Sequence, residues 1–140
     1  MIDWKIFALG SAFFAGLTAL LGKVGVRDIN SNLATFIRTV VVMVFLIFLL
    51  SFRGEWANPM GINRKSMVFL ILSALATGLS WICYYRALQT GPASLVAPID
   101  KLSVVFAVLL SVFFLAERPG VYQWLGIGLI TAGTLTIIFK

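Results

Sequence analysis

Apolar residues in this chain gather into five long stretches, Trp4–Val24, Leu33–Phe52, Ser66–Leu88, Leu95–Ala116 and Val121–Phe139. A bilayer hydrocarbon core of about 30 Å is crossed by about 20 helical residues, and each stretch is about that long. A helix surrounded by lipid can be apolar on every side, so uninterrupted hydrophobicity predicts five transmembrane helices rather than five buried core elements. The first stretch is full length and four more follow it, which distinguishes it from a cleaved leader. Between the stretches lie "GVRDINSN", "RGEWANPMGINRK", "QTGPAS" and "ERPG". Connections this short make consecutive helices antiparallel neighbours and leave no room for a soluble domain. The expectation is an all-α integral membrane protein, one transmembrane domain over residues 1–140 without a linker.

Composition agrees with the pattern. The chain is 61% hydrophobic and 11% charged, whereas a soluble domain is about 45–50% apolar and about 25% charged. With no histidine and one cysteine, Cys83, it lacks the means for a His- or Cys-based metal site, a His-dependent triad or an internal disulfide. Its five acids lie mostly at span ends. An enzyme is not expected, and no cofactor is implied.

The formal charge of +6 is scattered through loops and span ends, which suits anionic headgroups and not nucleic acid. Five spans put the termini on opposite sides. Lys5, Arg53, Arg64, Lys65 and Arg118 then share the N-terminal side, and Lys23, Arg27, Arg86 and Lys140 the other. Orientation follows the Lys/Arg excess, and here the two sides nearly balance. One orientation with the N-terminus inside, and insertion of copies in both orientations, are both compatible with that balance.

From Tyr84 the sequence reads "YYRALQTGPASLVAPIDKLSVVFAVLLSVFFLAERPGVYQWLGIGLITAGTLTI". The aromatic-Arg-Ala-Leu ending of the third span, the "GPASLVAP" entry to the fourth, Glu117 at its exit and the glycine-rich fifth span together resemble an EamA domain, the repeat unit of the drug/metabolite transporter superfamily. Arg38 in "FIRTVVV" fits as well. The resemblance extends over essentially the whole chain, strongly after Ser80 and loosely before it. It implies a secondary transporter exporting small organic metabolites or drug-like compounds, multi-pass in the cell (inner) membrane. Members of that family typically carry two inverted five-helix repeats, and this chain has one. Inverted repeats provide alternating access around a midplane site. Two oppositely inserted copies would restore that symmetry as an antiparallel homodimer, and pairing with a separate half-size partner is the alternative. A non-transporting membrane subunit is a further reading. Small multidrug resistance proteins also pair antiparallel but rely on an acid in the first span, and Ile6–Leu21 contains no charge.

Two charges sit inside the fourth stretch, Asp100 and Lys101, and one inside the second, Arg38. Charges at membrane depth cost about 2.5–3.5 kcal/mol on insertion scales and usually face a cavity or a partner. At about 100° per residue Asp100, Ser103, Ala107, Ser111 and Phe114 share one face of a continuous helix. Lys101 would point about 100° away, so the two neighbouring charges are expected not to meet. Arg38, Arg86, Lys23 and Asp100 fall in one layer toward the second side. That layer is either a wet vestibule in which Arg38 or Arg86 holds a carboxylate or phosphate bidentately, or a neutralised structural cluster. It mildly favours anionic or zwitterionic solutes. Lys23 reads as an interface anchor. Asp100 is the only carboxylate well inside a span, so proton coupling would have to use it.

On the third span Ser73, Thr77, Ser80 and Tyr84 form a hydroxyl stripe. Trp81 and Tyr85 share another face with Ala74 and Gly78. The stripe suits either substrate or neighbouring backbone, and the aromatics either an organic or cationic ligand or simple packing. The substrate-binding candidates are therefore Arg38, Thr77, Ser80, Trp81, Tyr84, Arg86, Asp100 and Ser103. Small residues in the first span (Ala8, Ala12, Gly16, Gly22) and the fifth (Gly126, Gly128, Ala132, Gly133) are expected to mark close helix packing. Pro98 either kinks the fourth span or delays its start.

Overall fold

The computed structural model describes residues 4–58 and 61–139, so Lys140 lies outside the described residues. Among the described residues six α-helices follow one another: α1 Trp4–Gly25, α2 Ser31–Arg53, α3 Arg64–Thr90, α4 Ala93–Asp100, α5 Ser103–Leu115 and α6 Val121–Ile138. Among the described residues there is no strand. Taking α4 and α5 together, five stretches are long and apolar enough to cross a membrane. They coincide with the expected spans to within a few residues.

Several helices begin a turn-half earlier than their apolar runs because polar caps extend them. The Asn30 side chain accepts the backbone N–H of Asn32 at 2.8 Å, and that of Asn63 accepts the N–H of Lys65 at 2.9 Å. Each satisfies one of the donors that a helix start leaves orphaned. At the other end of α2, Gly54 adopts φ 62°. Glu55 N–H then reaches the Leu50 carbonyl at 3.0 Å, the Schellman closure that a residue without Cβ allows most cheaply.

The chain divides into two compact units, Gly22–Thr90 and the described part of Met1–Leu21 with Gly91–Lys140. In the first of these, α2 packs along α3. Val26, Ala34, Tyr85 and Leu88 are its buried apolar residues. Polar side chains fasten its end: Lys23 Nζ donates to the Leu88 carbonyl at 2.6 Å, and Gln89 Nε2 donates to the carbonyls of Ile29 at 2.9 Å and Val26 at 3.3 Å. Lys23 is thus bound to the last turn of α3, where exposed carbonyls and the helix dipole favour a cation.

In the second unit α6 packs against both α4 and α5. Buried Thr134 donates to the Ile130 carbonyl at 2.9 Å, and its oxygen stands 3.5 Å from the Pro98 carbonyl. The fourth span is broken at Lys101–Leu102, contrary to the continuous helix expected. Pro98 lacks the N–H that would bond to Ser94 and kinks helices for that reason. The following turn tightens: Lys101 N–H bonds to Pro98, Leu102 to Ile99, Val104 to Lys101 and Val105 to Leu102, each at 3.0 Å and three residues back. Lys101 (φ −69°, ψ −10°) and Leu102 (φ −60°, ψ −18°) lie close to 3₁₀ geometry.

Most long apolar side chains, among them Phe13, Phe48, Phe69, Leu79, Phe106 and Leu129, stand exposed. A water-soluble monomer rarely shows so much contiguous apolar surface. For helices in a bilayer it is the surface that meets lipid.

Candidate functional site

Arg38 on α2 and Trp81 and Tyr85 on α3 come together in the Gly22–Thr90 unit. The guanidinium carbon lies 4.3 Å from the Trp81 ring centroid and 5.5 Å from that of Tyr85. One terminal nitrogen donates to the Tyr85 hydroxyl at 3.2 Å. Trp81 and Tyr85 are four residues apart and therefore share one face of α3, which is what presents both rings to the same cation. Tyr85 is buried, whereas Arg38 and Trp81 are half-buried. Two π faces stabilise a partly desolvated cation by about 1–2 kcal/mol each. Among the described residues of this unit, no carboxylate forms an ion pair with Arg38; Glu55 pairs with Arg53 at 3.1 Å. A guanidinium carries five N–H donors in one plane. The Tyr85 hydroxyl takes one of these donors, and the others remain for an incoming group.

Beside this cluster is a groove of about 400 Å³ lined by Thr39, Leu70, Ser73, Ala74, Thr77, Gly78 and Trp81. Trp81 therefore has the Arg38 cation on its ring and also forms part of the groove wall. Thr39 donates its hydroxyl to the Thr35 carbonyl at 2.8 Å and Thr77 to the Ser73 carbonyl at 2.9 Å. Their oxygens face a visitor as acceptors only. The hydroxyl stripe and the aromatic face, separate on a helical projection, meet in this groove through Thr77 and Trp81.

The remaining candidates of this unit lie apart from the groove lining. Ser80 is exposed, and Tyr84 is half-buried, edge-to-face with Tyr85 at 6.2 Å between centroids. Arg86 is exposed and its terminal nitrogen donates to Gln89 Oε1 at 3.4 Å. Arg86 thus continues the polar fastening at the end of α3. Tyr85 is the residue that the sequence most undervalued. Its spacing from Trp81 was visible, but the cation that the two rings hold comes from another helix.

Asp100 and Ser103 belong to the other unit and flank its helix break. Lys101 Nζ stands 3.6 Å from Asp100 Oδ2, although a continuous helix would direct the two side chains about 100° apart. The long lysine side chain reaches back at the break, so the neighbouring charges form a pair and do not act separately. On the projected face Ser103 is exposed and Phe114 is 81% exposed, whereas Ser111 is half-buried. Next to the break, Pro98, Lys101, Ile130, Gly133 and Thr134 help line an almost wholly apolar groove of about 490 Å³.

The small residues behave differently from expectation too. A Cβ on Gly22 would meet Tyr85 Cε1 at 3.3 Å and Leu88 Cδ1 at 3.4 Å. A Cβ on Gly16, Gly126, Gly128 or Gly133 would meet nothing within 4 Å. Close packing within the protomer therefore accounts for Gly22 alone among these five. Among the described residues there is no cluster of three or more metal-ligating side chains.

The model of the EamA-like transporter family matches residues 3–139. The chain is 47% identical over 135 residues to an uncharacterized transporter in the cobO 3′ region of Sinorhizobium sp, covering 96% of each chain. It is 29% identical over 133 residues to an uncharacterized protein of Methanocaldococcus jannaschii, covering 94% of this chain and 93% of that one. With the uncharacterized transporter YxxF of Bacillus subtilis it shares 28% identity over 135 residues, 95% of this chain but 42% of the relative. No solved structure matches.

Proposed function

This chain belongs to the EamA-like transporter family, and from that membership we propose that it is a secondary transporter exporting small organic metabolites or drug-like compounds across the cell (inner) membrane. The matched family and its transporter-named relatives make it a multi-pass membrane protein of transporter type. The finer reading is that one EamA repeat works as an antiparallel dimer on anionic or zwitterionic solutes. Near-complete coverage of the Sinorhizobium and Methanocaldococcus proteins, against 42% of the Bacillus one, supports a single-repeat unit. Glycine faces that touch nothing in the protomer leave room for another helix to approach closely.

The observation that carries the solute class is the seat of Arg38. Its guanidinium carbon lies over the Trp81 ring and one terminal nitrogen is bonded to the Tyr85 hydroxyl, while no carboxylate among the described residues of the unit pairs with it. Such a guanidinium is oriented in advance for bidentate capture of a carboxylate. Thr77 and Trp81 then form the adjoining wall, with Ser80 and Tyr84 on the same helix. Arg86 in this unit and, separately, Asp100 and Ser103 in the other are further residues proposed to meet solute.

The test is flux of amino acids, organic anions and organic cations into liposomes holding the purified chain. A charge-assisted hydrogen bond contributes about 1.5–3 kcal/mol, so Arg38→Ala should slow carboxylate flux about tenfold to a hundredfold. Arg38→Lys, which keeps charge but loses the planar fork, should fall between. Carboxylate flux unchanged in Arg38→Ala would remove Arg38 from the pathway. No flux of any solute by the chain alone would favour the heteromeric half-transporter or the non-transporting subunit.

A further inference from the structure

Between α5 and α6 runs a groove of about 550 Å³, in a different unit from Arg38 and independent of the reading above. Its lining changes character along its length. At one end stand Glu117 and Arg118 of the α5–α6 connection with Gln123 of the first turn of α6; farther along come Gly126, Ile127 and Ile130. We propose that this groove holds one zwitterionic phospholipid of the ethanolamine class, its phosphate on Arg118, its ammonium on Glu117 and an acyl chain lying over Gly126 toward Ile130.

The depth argues for a lipid. The charged end belongs to the connection between two membrane-crossing helices and so lies at headgroup level, whereas the apolar end runs about 10 Å along α6 from Gln123 to Ile130, into the hydrocarbon layer. Phe114 at 81% and Leu129 at 75% exposure lie on the same two helices, so an acyl chain can enter sideways from the bilayer. The floor is left open on purpose of geometry: a Cβ on Gly126 would meet nothing within 4 Å.

The mouth argues for the headgroup. Glu117 and Arg118 are both exposed, and neither is in the ion pairs found among the described residues. Neighbouring opposite charges that do not pair with each other are complementary to a phosphate and an ammonium a few bonds apart. Gln123 Oε1 accepts the Gly120 N–H at 2.6 Å, which points its amide donors away for phosphate or glycerol-ester oxygens. A choline headgroup has no N–H for Glu117, and a phosphatidylglycerol headgroup has no cation. Ethanolamine satisfies both charges.

The full chain is reconstituted in bilayers containing traces of phosphatidylethanolamine, phosphatidylcholine or phosphatidylglycerol with the same diazirine-bearing acyl chain, and labelled peptides are identified by mass spectrometry. The ethanolamine probe should label residues 123–130 about fivefold over the other two, the selectivity of one partly exposed charge-assisted contact. Glu117→Gln should bring the ethanolamine-to-choline ratio to about one while labelling persists. Gly126→Leu, which fills open space with a better helix former, should abolish labelling of this segment with the helical circular dichroism unchanged. Equal labelling by all three probes in the native chain would reduce the groove to ordinary annular contact and overturn the proposal. So would a glycerol-headgroup preference, or a ratio that Glu117→Gln leaves unmoved.

Discussion

A charged side chain at membrane depth has to be held by something, and Arg38 is held by π faces and one phenol. That arrangement depends on Tyr85 keeping its place, which in turn depends on Gly22. A side chain there would collide with the Tyr85 ring and the Leu88 methyl, since even a Cβ comes to 3.3 and 3.4 Å. Gly22→Leu is expected to destabilise the Gly22–Thr90 unit by about 1–3 kcal/mol, the usual cost of overpacking. Denaturation in mixed micelles followed by circular dichroism measures it, and an unchanged midpoint would show that Tyr85 has slack. The sequence disclosed Arg38 on one helix, and Trp81 with Tyr85 on another, as unusual. It did not disclose that they meet, because a helical projection assigns faces within one element and is silent about which face of another element it finds. The Lys23 amine shows the same limit from the other direction: its position near a span end gives no sign of the carbonyl 65 residues away in sequence that it bonds.

Elements were legible where one physical rule decides them. Twenty apolar residues must become a helix in a bilayer, because every backbone donor and acceptor there has to be satisfied within the segment. The break in the fourth span was not legible. Pro98 announced a kink, but not the tightened turn three residues later, nor the approach of Lys101 to Asp100 beside it. Helix ends offer a paired test of local chemistry. Gly54 at φ 62° and Ala116 at φ 53° both end helices in the left-handed region, where a Cβ costs about 1–2 kcal/mol. Gly54→Ala should therefore lower stability by about 1 kcal/mol, and Ala116→Gly should raise it by a similar amount, each read from denaturation midpoints. Equal and negligible shifts would mean that the termini relax to other caps.

At the scale of the whole molecule the open question is orientation. Lysines and arginines divide almost evenly between the two ends of the spans, and an odd number of spans makes an inverted copy a true mirror in topology. In a Cys83→Ser background, single cysteines placed at Arg27 and at Gly54 should each be partly labelled by an impermeant thiol reagent applied to intact cells. Complete labelling of one and none of the other would establish a single orientation and remove the antiparallel homodimer. The near absence of a protomer core has a thermodynamic corollary. The heat-capacity increment of unfolding reflects apolar surface newly hydrated, and among the described residues the buried apolar ones are Ala19, Val26, Ala34, Tyr85 and Leu88. An isolated protomer would therefore melt without a sharp calorimetric peak, and cooperativity would arrive only with whatever surrounds it, so that lipid and neighbouring subunits set the steepness of the transition.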